Sequence, residues 1–227
     1  MHHVLRFVTR FLIPAALAGI LCSCAGVSMD ITVRGDGSGN AVMEYRVSKA
    51  MESLGKLDGN ERWPLVPVGR ADFQRTMARL PNLKLASFSS SETNTDVITR
   101  ADISFHRFDD MLAFLDQSPS GAKVTYSAEN GKTRLAVIVS EGNAGIDADL
   151  LSLVDTLFSG YTLNFSVHVP GTASAVLTDT NGKMLTADNN SIPQSVHITQ
   201  QGKNASVSMN MADLFGFPDG LGLEFTW

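Results

Sequence analysis

The chain has few cysteines: Cys22 and Cys24 are the only two among its 227 residues. Both follow an apolar run near the N-terminus, and residues 25–227 contain none. Disulfide bonds, thiol catalysis and cysteine-ligated metal are therefore excluded from most of the chain. A chain of this size buries about 70% of its surface on folding. We therefore expect the hydrophobic core alone to hold the fold.

Long apolar runs are also missing. A helix that spans a bilayer needs about 20 apolar residues, whereas the apolar stretch at residues 11–21 is shorter and is broken by Pro14. Arg6 and Arg10 precede this stretch. A basic start, a short apolar core and small residues after it are typical of an export signal. We expect residues 1–23 to be removed; a retained membrane helix is the alternative.

The cleavage region, Leu21-Cys22-Ser23-Cys24, resembles the lipobox of bacterial lipoproteins. The resemblance implies that the Cys24 thiol receives a diacylglycerol, with palmitate as a typical chain, and that the signal is cut just before it. Cys22 is the poorer acceptor, because bulky Leu21 would then stand directly before the cut. Ordinary signal cleavage beside a chance cysteine pair is the alternative. The expected location is the bacterial cell envelope, lipid-anchored and either periplasmic or surface-exposed.

Positive charge is scarce. The chain has 18 Lys plus Arg and 23 Asp plus Glu. Residues 1–23 contain two arginines and no acid, so the rest carries 16 against 23, a net charge of −7. An acidic domain without a basic cluster is a poor nucleic-acid binder. We therefore expect no nucleic-acid partner, and membrane contact through the N-terminal acyl chains.

Catalytic and metal-binding motifs are absent as well. The chain contains no HExxH and no GxSxG. Asp36, Ser38 and Asn40 alternate as in a calcium loop, but Ala41 takes the place of its glycine and Val47 that of its bidentate glutamate. A plain hairpin turn is the better interpretation. We predict no catalytic residue, no metal and no cofactor, and therefore no enzyme.

The histidines beyond the signal are His106, His168 and His197. Each falls on a polar position of a predicted strand, which favours an exposed surface. His168 and His197 could approach one another if their strands were adjacent. Two imidazoles without an arranged carboxylate would still be a weak metal site.

Apolar residues recur with a period of two along much of the chain, which is typical of half-buried strands. The pattern predicts three hairpins, one long strand, three shorter ones and a closing strand. They lie near residues 29–47, 83–105, 124–139, 161–169, 173–178, 195–200, 205–211 and 221–227.

Helical spacing appears between these strands. Ser48 is a plausible N-cap for the helix predicted around residues 50–57. Three further helices are predicted near residues 73–80, 108–115 and 146–157. Strands and helices do not alternate strictly, so the pattern favours an α+β fold with a largely antiparallel sheet and helices packed on one face. We expect an anchor and tether at residues 24–28 and a single ectodomain at 29–227.

A hairpin around "GDGSGNAVMEYRVS" soon after a lipobox, and a later "VHVPGTASAVLTDTNGKMLTADNNSI", resemble the LppM-like bacterial envelope lipoproteins. The chain is equally similar, in general pattern, to small uncharacterised spirochaetal lipoproteins. The LppM-like resemblance implies an α+β ectodomain and lipid or glycolipid binding. Relatives often have a transmembrane helix near the C-terminus, whereas this sequence ends at "LGLEFTW".

Two apolar loops are the candidate ligand-binding residues. The first, at residues 62–69, contains two prolines that prevent a helix, and the second, at residues 214–220, precedes the last strand. One interpretation places both loops under the sheet as core; the other places them at the mouth of an apolar pocket or on a partner surface. The candidates are Trp63, Leu65, Val66, Val68, Phe215 and Phe217.

These patterns leave two hypotheses on function. The first is a non-enzymatic, membrane-anchored binding module for a lipid or other hydrophobic ligand. The second is a structural or assembly lipoprotein that binds another envelope protein through a sheet edge or the apolar loops. A pocket would favour the first hypothesis, and a flat apolar patch the second.

Overall fold

A computed structural model describes residues 25–49, 69–116, 123–129, 131–142, 148–186 and 192–227. The strands are β1 Ala25–Val33, β2 Gly39–Ser48, β3 Leu83–Glu92, β4 Asp96–Phe105, β5 Lys123–Glu129, β6 Lys132–Ser140, β7 Thr162–His168, β8 Ser174–Thr178, β9 His197–Gln201, β10 Asn204–Asn210 and β11 Leu221–Thr226. The α-helices are α1 Arg70–Met77, α2 Phe108–Asp116 and α3 Ala148–Phe158, and a 3₁₀ helix spans Met211–Gly216.

The described strands form two sheets. The larger has seven strands in the order β3-β4-β2-β1-β7-β10-β9, and the smaller has four in the order β5-β6-β11-β8. All pairs are antiparallel except β1 with β7. The predicted α+β class and its largely antiparallel hairpins are thus confirmed. The division into two sheets was not predicted, because period-two patterns show which face of a strand is buried and not which strand lies beside it.

The two sheets share one hydrophobic core. Alternate residues of β1, Met29 and Ile31 among them, are buried on the inner face of the larger sheet. Phe165 of β7 stacks on Phe225 of β11 with ring centroids 5.2 Å apart, which joins the sheets across the core. Burial of large side chains such as these stabilises the fold by about 1.5–3 kcal/mol each.

The first two helices pack on that same inner face. Phe73 of α1 is fully buried and meets the Phe88 ring of β3 edge-on, with centroids 5.8 Å apart. Phe108 of α2 lies against Phe105 of β4 and against Trp227. The helix predicted around residues 50–57 lies outside the described residues.

The N-terminal strand begins earlier than the sequence pattern indicated. β1 starts at Ala25 and pairs with β2 from Ala25↔Val47 onward. Residues 25–28 were predicted to be a tether, and this prediction is corrected. Their backbone groups bond to strands that extend that far, although the clear apolar alternation begins only at Met29. Cys24 therefore directly precedes a strand.

Candidate functional site: a polar cleft on the outer face of the larger sheet

The outer face of the larger sheet holds an open cleft of about 570 Å³. It lies where β2 begins, β4 ends and β3 begins, beside the turn between β1 and β2. Its volume falls in the range of small-molecule sites, roughly 300–1,000 Å³. The lining is predominantly polar, which distinguishes it from an apolar ligand pocket. It consists of Arg34, Ser38, Gly39, Asn40, Lys84, Ala86, Asp102, Ser104, Phe105 and His106.

A glycine and a β-bulge shape the cleft. A Cβ atom added at Gly39 would lie 1.9 Å from the Thr32 carbonyl oxygen and 2.4 Å from the Phe105 ring, so only glycine fits there. On β3, Lys84 pairs with Ser104, and the pairing register then shifts between Leu85 and Ser87. The shift adds one residue to β3, Ala86, whose small side chain lines the cleft.

The β1–β2 turn is ordered by its own polar groups. The Asp36 carboxylate accepts hydrogen bonds from the Ser38 amide at 3.0 Å and from the Ser38 hydroxyl at 2.7 Å. These bonds lower the pKa of Asp36. Arg34 donates to the same hydroxyl oxygen at 3.3 Å, which places its guanidinium at the mouth of the cleft. The carboxylate that resembled a calcium ligand therefore serves as a turn-capping group.

Two oppositely charged side chains that have no protein partner line the cleft, Lys84 and Asp102. Among the described residues, neither the Lys84 ammonium nor the His106 imidazole has a hydrogen bond or ion pair. The Oδ1 atom of Asp102 is buried and accepts no hydrogen bond. A buried carboxylate oxygen without a donor costs free energy, roughly 1–3 kcal/mol or more. An unpaired group of this kind is explained most directly by a ligand or water that donates to it.

A second carboxylate lies near the opposite end of β4. The Asp96 side chain is 1% exposed and accepts four hydrogen bonds: two from Arg46 at 2.8 and 3.1 Å, one from Thr95 at 2.8 Å and one from the Tyr161 hydroxyl at 2.6 Å. Burial alone would raise the pKa of Asp96, but these bonds and the Arg46 charge lower it overall. The donors fill this site, so its role is to join β2, β4 and the start of β7.

The apolar candidates divide between core and undescribed residues. Phe217 is 3% exposed and belongs to the hydrophobic core. Phe215 is half-buried, with its ring centroid 5.2 Å from that of Phe158. The first loop and the lipidation site lie outside the described residues: Trp63, Leu65, Val66, Val68 and Cys24.

The histidines lie apart. β10 separates the strands that carry His168 and His197. His168 pairs with Asn204 and hydrogen-bonds its side chain, whereas His197 lies opposite Ser208. Within the described ranges, no three His, Cys, Asp or Glu side chains are grouped so that they could hold a metal ion.

No helix in the described part of the chain is both long enough and apolar enough to cross a bilayer.

Comparisons with known proteins were made for the sequence and the fold. No protein-family model matches the sequence, and no curated protein matches it. Among solved structures, the fold is similar to that of the folded domain of LppM from Mycobacterium tuberculosis, determined by NMR. The TM-score is 0.44 and the identity 10%, over 90% of this chain and 89% of that one. The LppM-like family resemblance drawn from the sequence stays a prediction.

Proposed function

We propose that this chain is a lipid-anchored, non-enzymatic binding module of the bacterial cell envelope, with the cleft on the larger sheet as its binding site. One observation supports the binding role above others. The cleft is lined by the exposed Lys84 and by Asp102, whose buried Oδ1 atom accepts no hydrogen bond. Lys84 is exposed and solvated by water, so the buried Asp102 oxygen carries the argument: a carboxylate oxygen buried for structural reasons alone is normally paired, as in the Asp96 cluster.

The anchor part of the proposal comes from the sequence before β1. Residues with the pattern of an export signal precede Cys24, and the next residue, Ala25, already belongs to a strand. One peptide unit spans about 3.8 Å. Lipid chains on Cys24 would therefore hold the start of β1 close to the bilayer surface, because no linker separates Cys24 from the strand.

Cysteine substitution tests the anchor. In cells, Cys24→Ser should move the protein from the membrane fraction to the soluble fraction or leave the precursor uncut, because the acceptor thiol is gone. Cys22→Ser is the matched control and should change neither outcome. Immunoblots of fractionated cells report both size and location. If Cys22→Ser releases the protein and Cys24→Ser does not, the anchor assignment is wrong.

The first apolar loop supports a second form of the proposal, in which the ligand is hydrophobic and binds at that loop. Trp63 and Trp227 are the only tryptophans, and Trp227 packs edge-on against Phe108 with ring centroids 6.0 Å apart. If Trp63 lines a ligand mouth, a long-chain lipid should shift its fluorescence to the blue. Trp227→Phe should keep that shift and Trp63→Phe should abolish it. Loss of the shift in Trp227→Phe alone would contradict this form of the proposal.

An assembly role is the second candidate, and one strand favours it. All five residues of β9 are exposed, and β9 forms an edge of the larger sheet. Exposed edge strands can pair with a strand of another protein. Ile198→Pro would remove a backbone donor from β9. Loss of a crosslinked envelope partner in this variant, with ligand binding by the cleft unchanged, would favour assembly.

A further inference from the structure

The strand register fixes the backbone positions of the two charged residues of the cleft. Lys84 of β3 lies directly opposite Ser104 of β4, and Asp102 is two residues before Ser104. Lys84 and Asp102 are therefore diagonal cross-strand neighbours, whose Cα atoms are about 7–8 Å apart. They form no ion pair within 4.0 Å in the described structure. One cleft thus places a cation beside an anion: the Lys84 side chain is exposed, and the unpaired Asp102 oxygen is buried in the lining.

A ligand that satisfies both groups must itself carry both charges. Its anionic group would meet the Lys84 ammonium, with the Arg34 guanidinium at the same mouth. Its ammonium or another N–H donor would meet the Asp102 oxygen that lacks a hydrogen bond. A simple anion would leave Asp102 unpaired, and a simple cation would leave Lys84 unpaired. Complementary charges at both ends therefore favour a zwitterion.

The spacing also limits the size of the zwitterion. Two extended residues span roughly 7 Å at about 3.3–3.6 Å per residue. The termini of a dipeptide are therefore about as far apart as the Cα atoms of Lys84 and Asp102. The cleft, at about 570 Å³, has room for a molecule of that size. Asn40 and Ser104 offer further polar groups to its backbone.

The cleft and the anchor point lie at opposite ends of β1. Ala25 pairs with Val47 at the end of β2, whereas Val33 pairs with Gly39, which lines the cleft. The eight steps of β1 span about 27 Å at roughly 3.4 Å per residue. If Cys24 holds the start of β1 at the bilayer, a lipid headgroup reaches the cleft only when the domain lies on its side. This placement favours a water-soluble ligand.

We infer that the cleft binds a small, water-soluble zwitterion of about the length of a dipeptide, with Lys84 and Arg34 binding its anionic end and Asp102 its ammonium end. The inference rests on the proposed binding function and names the ligand class. Lys84, Arg34 and Asp102 all lie in the part of the chain that the structure describes, and none of them belongs to the apolar loops.

Calorimetric titration of the full-length lipoprotein in nanodiscs tests the inference. The probe is the dipeptide Ala-Ala. We expect saturable binding that weakens at least tenfold in Lys84→Gln and in Asp102→Asn. The matched controls are Lys132→Gln and Asp155→Asn, which change exposed residues away from the cleft and should bind as the original chain does. N-acetylated Ala-Ala lacks the ammonium and should bind the original chain at least tenfold more weakly.

Five results would overturn the inference. Equal binding of acetylated and free dipeptide would mean a simple anion site, as would inorganic phosphate that competes as strongly as Ala-Ala. Binding only when phosphatidylethanolamine is present in the nanodisc would mean a lipid headgroup site. Unchanged binding in both cleft variants would place the ligand elsewhere. Absence of any Ala-Ala binding would rule out this ligand class. The anchor is tested separately by Cys24→Ser, so each proposal can fail without the other.

Discussion

Two carboxylates on the same strand show how the two ends of the larger sheet differ. Asp96 and Asp102 both lie on β4, six residues apart, and both point to the outer face. Asp96 accepts four hydrogen bonds in a site that is closed to solvent. Asp102 keeps a buried oxygen that accepts none, beside an open cleft. The first arrangement stabilises the fold, whereas the second costs stability unless a ligand or water donates to the unpaired oxygen.

The largest effect on stability is expected at the Asp96 end. Asp96→Asn removes a buried charge and leaves the Arg46 guanidinium facing an amide, so the free energy of unfolding should fall by about 2–4 kcal/mol. Urea denaturation measures this difference. Asp155→Asn, on the exposed side of α3, is the matched control and should change stability by less than about 0.5 kcal/mol. An Asp96→Asn loss as small as that of the control would mean that the cluster does not hold the sheet.

The Asp96 effect should also depend on pH. Because the folded-state pKa of Asp96 is lowered, its contribution is present above the ordinary aspartate pKa of about 3.9 and is lost as pH falls through the folded pKa. The stability difference between the original chain and Asp96→Asn should therefore be constant from about pH 7 to 5 and shrink below about pH 4. Unfolding curves across that range measure it. A difference that grows towards low pH would contradict the sign of the shift.

A smaller effect is expected for the tyrosine of the same cluster. Tyr161→Phe removes one hydrogen bond to a charged acceptor and should cost about 1.5–3 kcal/mol. Burial and the bond to Asp96 raise the pKa of Tyr161 to about 12. Because this pKa is raised, the contribution of Tyr161 is present below about pH 10 and is lost as pH rises towards 12. Tyr126 of β5 takes no part in the Asp96 cluster, so Tyr126→Phe is the control and should change stability less than Tyr161→Phe does.

The smallest effect on stability is expected in the cleft. Asp102→Asn removes a carboxylate whose oxygen lacks a donor, so the free energy of unfolding should stay within about 0.5 kcal/mol of the original or rise by up to about 1 kcal/mol. Lys84→Gln should stay within about 0.5 kcal/mol, because the ammonium has no protein partner among the described residues. A loss of 2 kcal/mol or more in either variant would give that side chain a structural role.

Much of the fold could be predicted from the sequence, because side-chain periodicity reflects burial directly. Alternation in residues 29–33 and 42–47 predicted the first hairpin, and Phe73 with Met77 predicted the buried side of α1. The parallel pairing of β1 with β7 could not be predicted in this way. It joins residues about 135 positions apart, such as Met29 and Phe165, and no local pattern records that pairing.

The candidate cleft was missed for a related reason. Its residues come from three separate segments, 34–40, 84–86 and 102–106, and only the strand register brings them together. In the sequence, nothing distinguishes Lys84, Asp102 or His106 from an ordinary exposed polar residue. Gly39 was interpreted as part of a turn, whereas its role is to let β2 pass close to Phe105. The apolar loops were predicted as candidate sites instead, because unusual composition is visible in a sequence. The convergence of side chains from distant segments is not.

The shift in melting temperature caused by Ala-Ala, compared across the two aspartate variants, tests the central claim most directly. A ligand at 100 times its dissociation constant adds about 2.7 kcal/mol to the free energy of unfolding. This corresponds to roughly 5–10 °C for a domain of this size. Asp96→Asn should melt at a lower temperature and keep that ligand-induced shift, whereas Asp102→Asn should melt near the original temperature and lose it. A full shift in Asp102→Asn, or its loss in Asp96→Asn alone, would contradict the division between a structural end and a binding end.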